Sequence, residues 1–267
     1  MKITFKLVAL DIDGTLLNKE RRLTPETKEA IRRVRERGTE VTLCTGRMFR
    51  AALPYAEELE LELPLIAYNG GLVMQAETKE ILYRRSLPGI YAKQIVRAAR
   101  EKRFAINYYY EDRLLVEEIN EANRLYAEWS KVPLEQVEDL VELPYEPTKI
   151  LVMGNPEELD VFWAEHRELL GEEVYITKSW SSFLEFLHPE ATKGKGLAAL
   201  ARHLGIERGE VMCMGDSFND LEMFAYAGLA IAMGNADEAV KKAADYITGT
   251  NEENGVAQAL EKFILRQ

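Results

Sequence analysis

Asp11 and Asp13 stand two residues apart behind an apolar run, Ile3 to Leu10, and are followed by Gly14 and Thr15. If the run is a strand, alternation puts both carboxylates on the same side of the chain, and Gly14 permits a sharp turn behind them. Carboxylates this close repel each other unless a proton or a cation lies between them. A second acidic cluster, Gly215-Asp216-Ser217-Phe218-Asn219-Asp220, also follows an apolar run, Val211-Met-Cys-Met214. Loops at the strand ends of one parallel sheet share a crevice, so four carboxylates would converge. Such a cluster needs a divalent cation, and its all-oxygen ligands favour Mg2+ over zinc or copper. Calcium loops share the first spacing, but the strand ahead of it and the lack of a helix–loop–helix with a terminal glutamate argue against one.

Two further pieces could hold an anion. Thr45-Gly46 follows the run Val41–Cys44, where a hydroxyl and an exposed backbone N–H can bind a phosphate oxygen. Lys193 precedes Gly194-Lys195-Gly196 at a predicted helix start, so an ammonium and a helix N-terminus could face one anion, with Lys195 competing for the role. Taken singly, each piece reads as readily as an acidic turn, a strand end or a solvated helix start.

The elements that must position these residues follow one grammar. The run ending at Leu10 suits a strand buried on both faces of a parallel sheet. Thr24 can cap a helix that Pro25 opens and that runs to Gly38, with Ala30, Ile31 and Val34 inward. Strands Val41–Cys44 and Leu65–Tyr68 continue the pattern, the latter leading into Asn69-Gly70-Gly71. Near the other end, helix Gly194–Leu204, strand Glu210–Met214, helix Asp220–Ala227, strand Leu229–Ala232 and helix Glu238–Ala244 repeat it, so both ends can share one α/β sheet. Between them the grammar changes to helices interleaved with strands at Ala105–Tyr109, Arg113–Val116, Lys149–Met153 and Phe183–Leu187, the pattern of an inserted α+β module. The expected division is 1–82 with 189–267 as an α/β core and 83–188 as the insert.

Composition narrows the function classes. A formal charge of −11, from 34 Lys+Arg against 45 Asp+Glu, opposes a broad grip on a nucleic-acid polymer. Arg32-Arg33 and Lys241-Lys242 read as solvated helix faces. With 47% hydrophobic and 30% charged residues the chain should fold as a globular protein. Cys44 and Cys213 sit in apolar stretches without metal-ligand spacing. No apolar run nears the roughly 20 residues of a membrane span and no leader pattern opens the chain, so a cytoplasmic protein without a membrane partner is expected. Nothing in the sequence bears on oligomeric state.

The order of the four pieces carries a resemblance. Asp11-Ile-Asp-Gly-Thr15, Thr45-Gly46, Lys193 and Gly215-Asp-Ser-Phe-Asn-Asp220 resemble, in sequence order, the four motifs of the haloacid-dehalogenase-like superfamily of phosphohydrolases. The large insert between the second and third motifs is similar to that of the Cof-type subgroup. The resemblance implies a Rossmann-like parallel-sheet core with an inserted α+β cap. It also implies a Mg2+-dependent phosphatase acting on a small phosphorylated metabolite such as a sugar phosphate, nucleotide or cofactor phosphate.

By motif position, Asp11 resembles the nucleophile that becomes an aspartyl-phosphate, and Asp13 the acid and base. The resemblance places Mg2+ on Asp11, the Asp13 backbone carbonyl and Asp216, with Asp220 or a water completing the shell. Thr45, Gly46, Lys193 and Asn219 are the expected phosphate ligands. Arg47, beside the second motif, and Tyr108, Trp180 and His188 in the insert are candidates for substrate specificity, as are Tyr109 and Tyr110. A phosphomutase using the same aspartyl-phosphate is the alternative. A phospho-receiver switch is a third, though it needs far fewer residues and no insert.

Overall fold

A computed structural model of the chain describes residues 4–144 and 146–266; Ile3, the expected start of the first strand, lies outside them. The chain divides into two compact units, one of Met1–Tyr83 with Thr192–Gln267 and the other of Arg84–Ala191.

In the first unit the two chain ends build one parallel five-stranded sheet. Its order is Tyr246–Ile247, Leu229–Ala232, Val211–Gly215, Leu7–Leu10, Glu40–Leu43. Leu7 pairs with Val211 on one side and Glu40 on the other, which makes the first strand an interior strand beside the central one, Val211–Gly215. All four residues of Leu7–Leu10 are buried, as a strand covered on both faces requires. Helix Pro25–Glu36 starts where Thr24 accepts a hydrogen bond from the Thr27 N–H and Pro25 takes the first turn, and it buries Thr27, Ala30, Ile31 and Val34. Helix Lys193–Leu204 is capped by Thr192, which accepts from the Lys195 N–H, and Gly205 closes it in the left-handed region.

The parallel run expected through Leu65–Tyr68 is not continued in full. Leu65–Ala67 meets the parallel sheet through one bridge, Cys44 to Ile66, and pairs antiparallel with Leu72–Met74. The cause is local: Tyr68, Asn69 and Gly70 have φ of 52°, 54° and 89°, and three successive left-handed residues reverse the chain. Helix Pro25–Glu36 also ends two residues before Gly38.

The second unit has a six-stranded sheet in the order Tyr175–Trp180, Phe183–Leu187, Lys149–Met153, Ala105–Tyr110, Arg113–Val116, Leu134–Gln136. One face carries Ile106, Tyr108, Ile150, Val152, Leu184 and Phe186 into a core with Ile95 and Val96 of helix Gly89–Glu101 and Leu159 and Phe162 of helix Pro156–Leu170. Each such buried apolar side chain contributes about 1.5–3 kcal/mol over an exposed one. Among the described residues no helix is long and apolar enough to cross a membrane.

Candidate active site

Adjacent strands Leu7–Leu10 and Val211–Gly215 end side by side, and their following loops bring the two acidic clusters together. Oxygens of Asp11, Asp216 and Asp220, one from each, lie within 4.8 Å of one another. Close approach depends on Gly14: its φ is +79°, and a Cβ there would stand 2.2 Å from Asp216 Oδ2. Thr15 donates its hydroxyl to Asp216 Oδ1 at 3.0 Å. Asn235 donates its amide to the Gly14 carbonyl at 2.8 Å, which fixes the turn from outside the motif.

The ammonium that enters the cluster is that of Lys193. It donates to Asp11 Oδ1 at 2.6 Å and to Asp220 Oδ1 at 2.5 Å, and it is fully buried, whereas Lys195 is exposed. Asp220 Oδ2 accepts the backbone N–H groups of Asp216 and Ser217, both at 2.9 Å. Asp220 therefore holds its loop and Lys193, and it is also one of the three carboxylates close enough together to share a cation.

Charge in this space is unbalanced: three clustered carboxylates face one ammonium. Burial pushes the Asp11 carboxyl up, Lys193 opposes it, and Asp220 and Asp216 push further, so Asp11 stands well above the usual carboxylate range. Burial and then Asp220 push Asp216 up to about 7, against the Thr15 hydrogen bond and Lys193. Burial alone lowers a lysine, yet Asp11 and Asp220 outweigh it and raise Lys193 above its ordinary value. Carboxylates held this way fit a hard divalent cation, which relieves the repulsion and the burial cost together.

Asp13 is engaged differently. Arg47 grips it with both arms, Nε to Oδ2 and Nη2 to Oδ1, each at 2.6 Å. Arg47 is buried, lies 5.0 Å from the centre of the Tyr55 ring and donates to the Tyr55 hydroxyl at 3.3 Å. Burial opposes the charge on Arg47, but the hydrogen bonds to Asp13 hold its pKa above the ordinary value.

Thr45 and Gly46 follow strand Glu40–Leu43, with Thr45 Oγ1 accepting from the Arg47 N–H at 3.1 Å. Asn219 donates its amide to Asn69 Oδ1 at 2.9 Å. All these residues belong to the first unit. Of the insert candidates, Tyr108 is buried in the hydrophobic core, Trp180 is exposed and Tyr109 is fully buried. His188 Nδ1 accepts from the Glu190 N–H at 3.0 Å. The residues that sequence reasoning did not assign are Thr15, Tyr55, Asn69 and Asn235. Thr15 lies inside the first motif and Asn69 opens a turn after a strand, but Tyr55 and Asn235 have no local signal.

Residues 8–260 match the haloacid dehalogenase-like hydrolase family, and the chain belongs to it. The 5-amino-6-(5-phospho-D-ribitylamino)uracil phosphatase YcsE of Bacillus subtilis is 33% identical, over 98% of this chain and 97% of its own. The pyridoxal phosphate phosphatase YbhA of Escherichia coli is 30% identical, over 98% and 100%. The crystal structure of a haloacid dehalogenase-like hydrolase from Bacteroides thetaiotaomicron superposes with a TM-score of 0.88 at 33% identity, covering 97% of this chain and 99% of that one. The protein is a phosphoric monoester hydrolase.

Proposed function

We propose that the protein hydrolyses a small phosphorylated metabolite through an aspartyl-phosphate on Asp11, with Mg2+ as cofactor. The observation that carries this reading is Lys193, buried and bridging Asp11 and Asp220. A lysine spent there leaves a nucleophilic carboxylate beside a fixed cation, the arrangement that phosphoryl transfer to Asp11 needs. Asp11, the Asp13 backbone carbonyl and Asp216 would hold Mg2+, with Asp220 steadying the loop. When bound, the cation offsets the repulsion between an anionic nucleophile and an anionic phosphate.

In the first half-reaction an Asp11 oxygen bonds to phosphorus, the ester P–O bond breaks, and the leaving oxygen takes the proton of Asp13. In the second, Asp13 as carboxylate takes a proton from water, the water oxygen attacks phosphorus, and the bond from phosphorus to Asp11 breaks. Inorganic phosphate leaves, and both carboxyl groups return to their starting states. Arg47 takes one lone pair on each Asp13 oxygen and so fixes the carboxyl group, leaving a second lone pair on each for the proton. Lys193, Thr45, Gly46 and Asn219 bind the nonbridging oxygens.

The insert is the substrate-specificity part in this reading. Similarity to phosphatases of pyridoxal phosphate and of a ribitylaminouracil phosphate supports a cofactor-sized phosphomonoester as substrate. Phosphate release from a panel of sugar, nucleotide and cofactor phosphates, with and without Mg2+, tests the proposal. Release should require Mg2+ and should vanish in Asp11→Asn. Isomerised product without free phosphate would replace hydrolysis by a mutase reaction.

A further inference from the structure

Tyr68–Gly70 is a turn that touches all three stretches expected to hold phosphate. The Asn69 N–H donates to the Thr45 carbonyl at 2.9 Å. Gly70 lies against the helix start, since a Cβ on it would stand 2.0 Å from the Thr192 carbonyl oxygen. Asn69 Oδ1 accepts the Asn219 amide at 2.9 Å. Gly46 completes the convergence: a Cβ there would lie 2.8 Å from Asn69 Oδ1 and 3.5 Å from Asn219 Nδ2.

The two ends of the Asn219 carboxamide are not equivalent here. Its Nδ2 is bonded to Asn69, while its Oδ1 is buried without a hydrogen-bond partner. The carbonyl oxygen thus does nothing to select this orientation, and the contact with Asn69 decides it. In the flipped orientation two carbonyl oxygens would oppose each other across that contact, and an acceptor instead of a donor would stand beside Gly46. A phosphate dianion accepts hydrogen bonds and repels such an oxygen. Asn69 is itself almost fully buried and sits at φ 54°, ψ 32°, a conformation that asparagine adopts more readily than most residues.

We propose that Asn69 is a positioning residue that fixes the Asn219 carboxamide with its NH2 end toward phosphate bound at Thr45-Gly46. This rests on the phosphatase reading of the same site. One Asn219 N–H is used by Asn69, and the second is the donor presented to phosphate.

The test is calorimetric binding of inorganic phosphate, at saturating Mg2+, to wild type, Asn69→Gly, Asn219→Ala and the double variant. Glycine keeps the left-handed backbone and removes only the side chain. Asn69→Gly should raise the Kd for phosphate about tenfold, the scale of one hydrogen bond. The double variant should bind no more weakly than Asn219→Ala alone, because Asn69 acts through Asn219. Wild-type affinity in Asn69→Gly, or an effect that persists in full when Asn219 is already alanine, would overturn the role. NMR of the wild type gives a reading that does not depend on the variants folding. One Asn219 Nδ2 proton should be protected from exchange without phosphate and the other should shift when phosphate is added; an unshifted pair would also overturn it. Wild-type protein that binds no phosphate would overturn both this role and the phosphatase reading.

Discussion

Asp216 shows how a single residue makes the metal-free protein depend on pH. Its carboxyl is pushed up to about 7 in the folded chain, against an ordinary aspartate value of about 3.9. Folding therefore takes up a proton between those values, and stability of the metal-free protein falls as pH rises through that window. The penalty is fully present above the folded value. Asp216→Asn removes the charge but keeps an acceptor for Thr15. At pH 8 without metal, this variant should melt several degrees above wild type, and at pH 4 the difference should largely close. Adding Mg2+ should raise the wild-type melting temperature at pH 8 and leave Asp216→Asn nearly unchanged. Equal metal-free melting at pH 8 would mean that Asp216 is not the strained group. The acidic clusters themselves were readable because four carboxylates follow two apolar runs. What spacing could not supply was the division of labour: Asp13 is paired with Arg47, and Asp220 with Lys193 and two backbone N–H groups.

Among the elements, helix Lys193–Leu204 has the most at stake, since its first residue is the buried ammonium. Thr192 caps it, and Gly70 presses on the Thr192 carbonyl. Thr192→Ala should cost about 0.5–2 kcal/mol, as loss of a cap does. Gly70→Ala should cost more than that. It adds a left-handed strain of roughly 1–2 kcal/mol to an overlap with backbone, at 2.0 Å, that only a shift of the helix start can relieve. Urea denaturation of the two variants gives the ranking, and the reverse order would show that the turn yields without moving the helix. Buried strands rich in apolar residues were legible to the residue, as at Lys149–Met153, Phe183–Leu187 and Leu229–Ala232. Five strands escaped sequence reading: Ile81–Arg84, Leu134–Gln136, Tyr175–Trp180 and Tyr246–Ile247 lie at sheet edges, and Leu72–Met74 is the middle of a three-stranded sheet, entered through the unforeseen turn at Asn69. An edge strand is held by one neighbour and stays partly solvated, so its residues need not be apolar. The antiparallel turn at Asn69 escaped for another reason: its left-handed backbone is fixed by contacts with Thr45 and Asn219, far away in sequence.

For the whole molecule, chain connectivity matters as much as composition. The unit that holds the acidic cluster is assembled from both ends, through pairing of Leu7–Leu10 with Val211–Gly215, while Arg84–Ala191 is one continuous stretch with its own sheet and core. Expressed alone, Arg84–Ala191 should unfold in a single cooperative transition by circular dichroism; a gradual loss of signal would show that it depends on the rest of the chain. The covalent step on Asp11 can be trapped. Wild-type enzyme mixed with substrate and Mg2+, quenched in acid within the first turnovers and digested, should yield the peptide bearing Asp11 heavier by one phosphoryl group, and hydroxylamine should remove the added mass. The same peptide from Asp11→Asn should stay unmodified. Rapid turnover with no adduct in wild type, together with undiminished activity in Asp11→Asn, would rule out a covalent intermediate on Asp11.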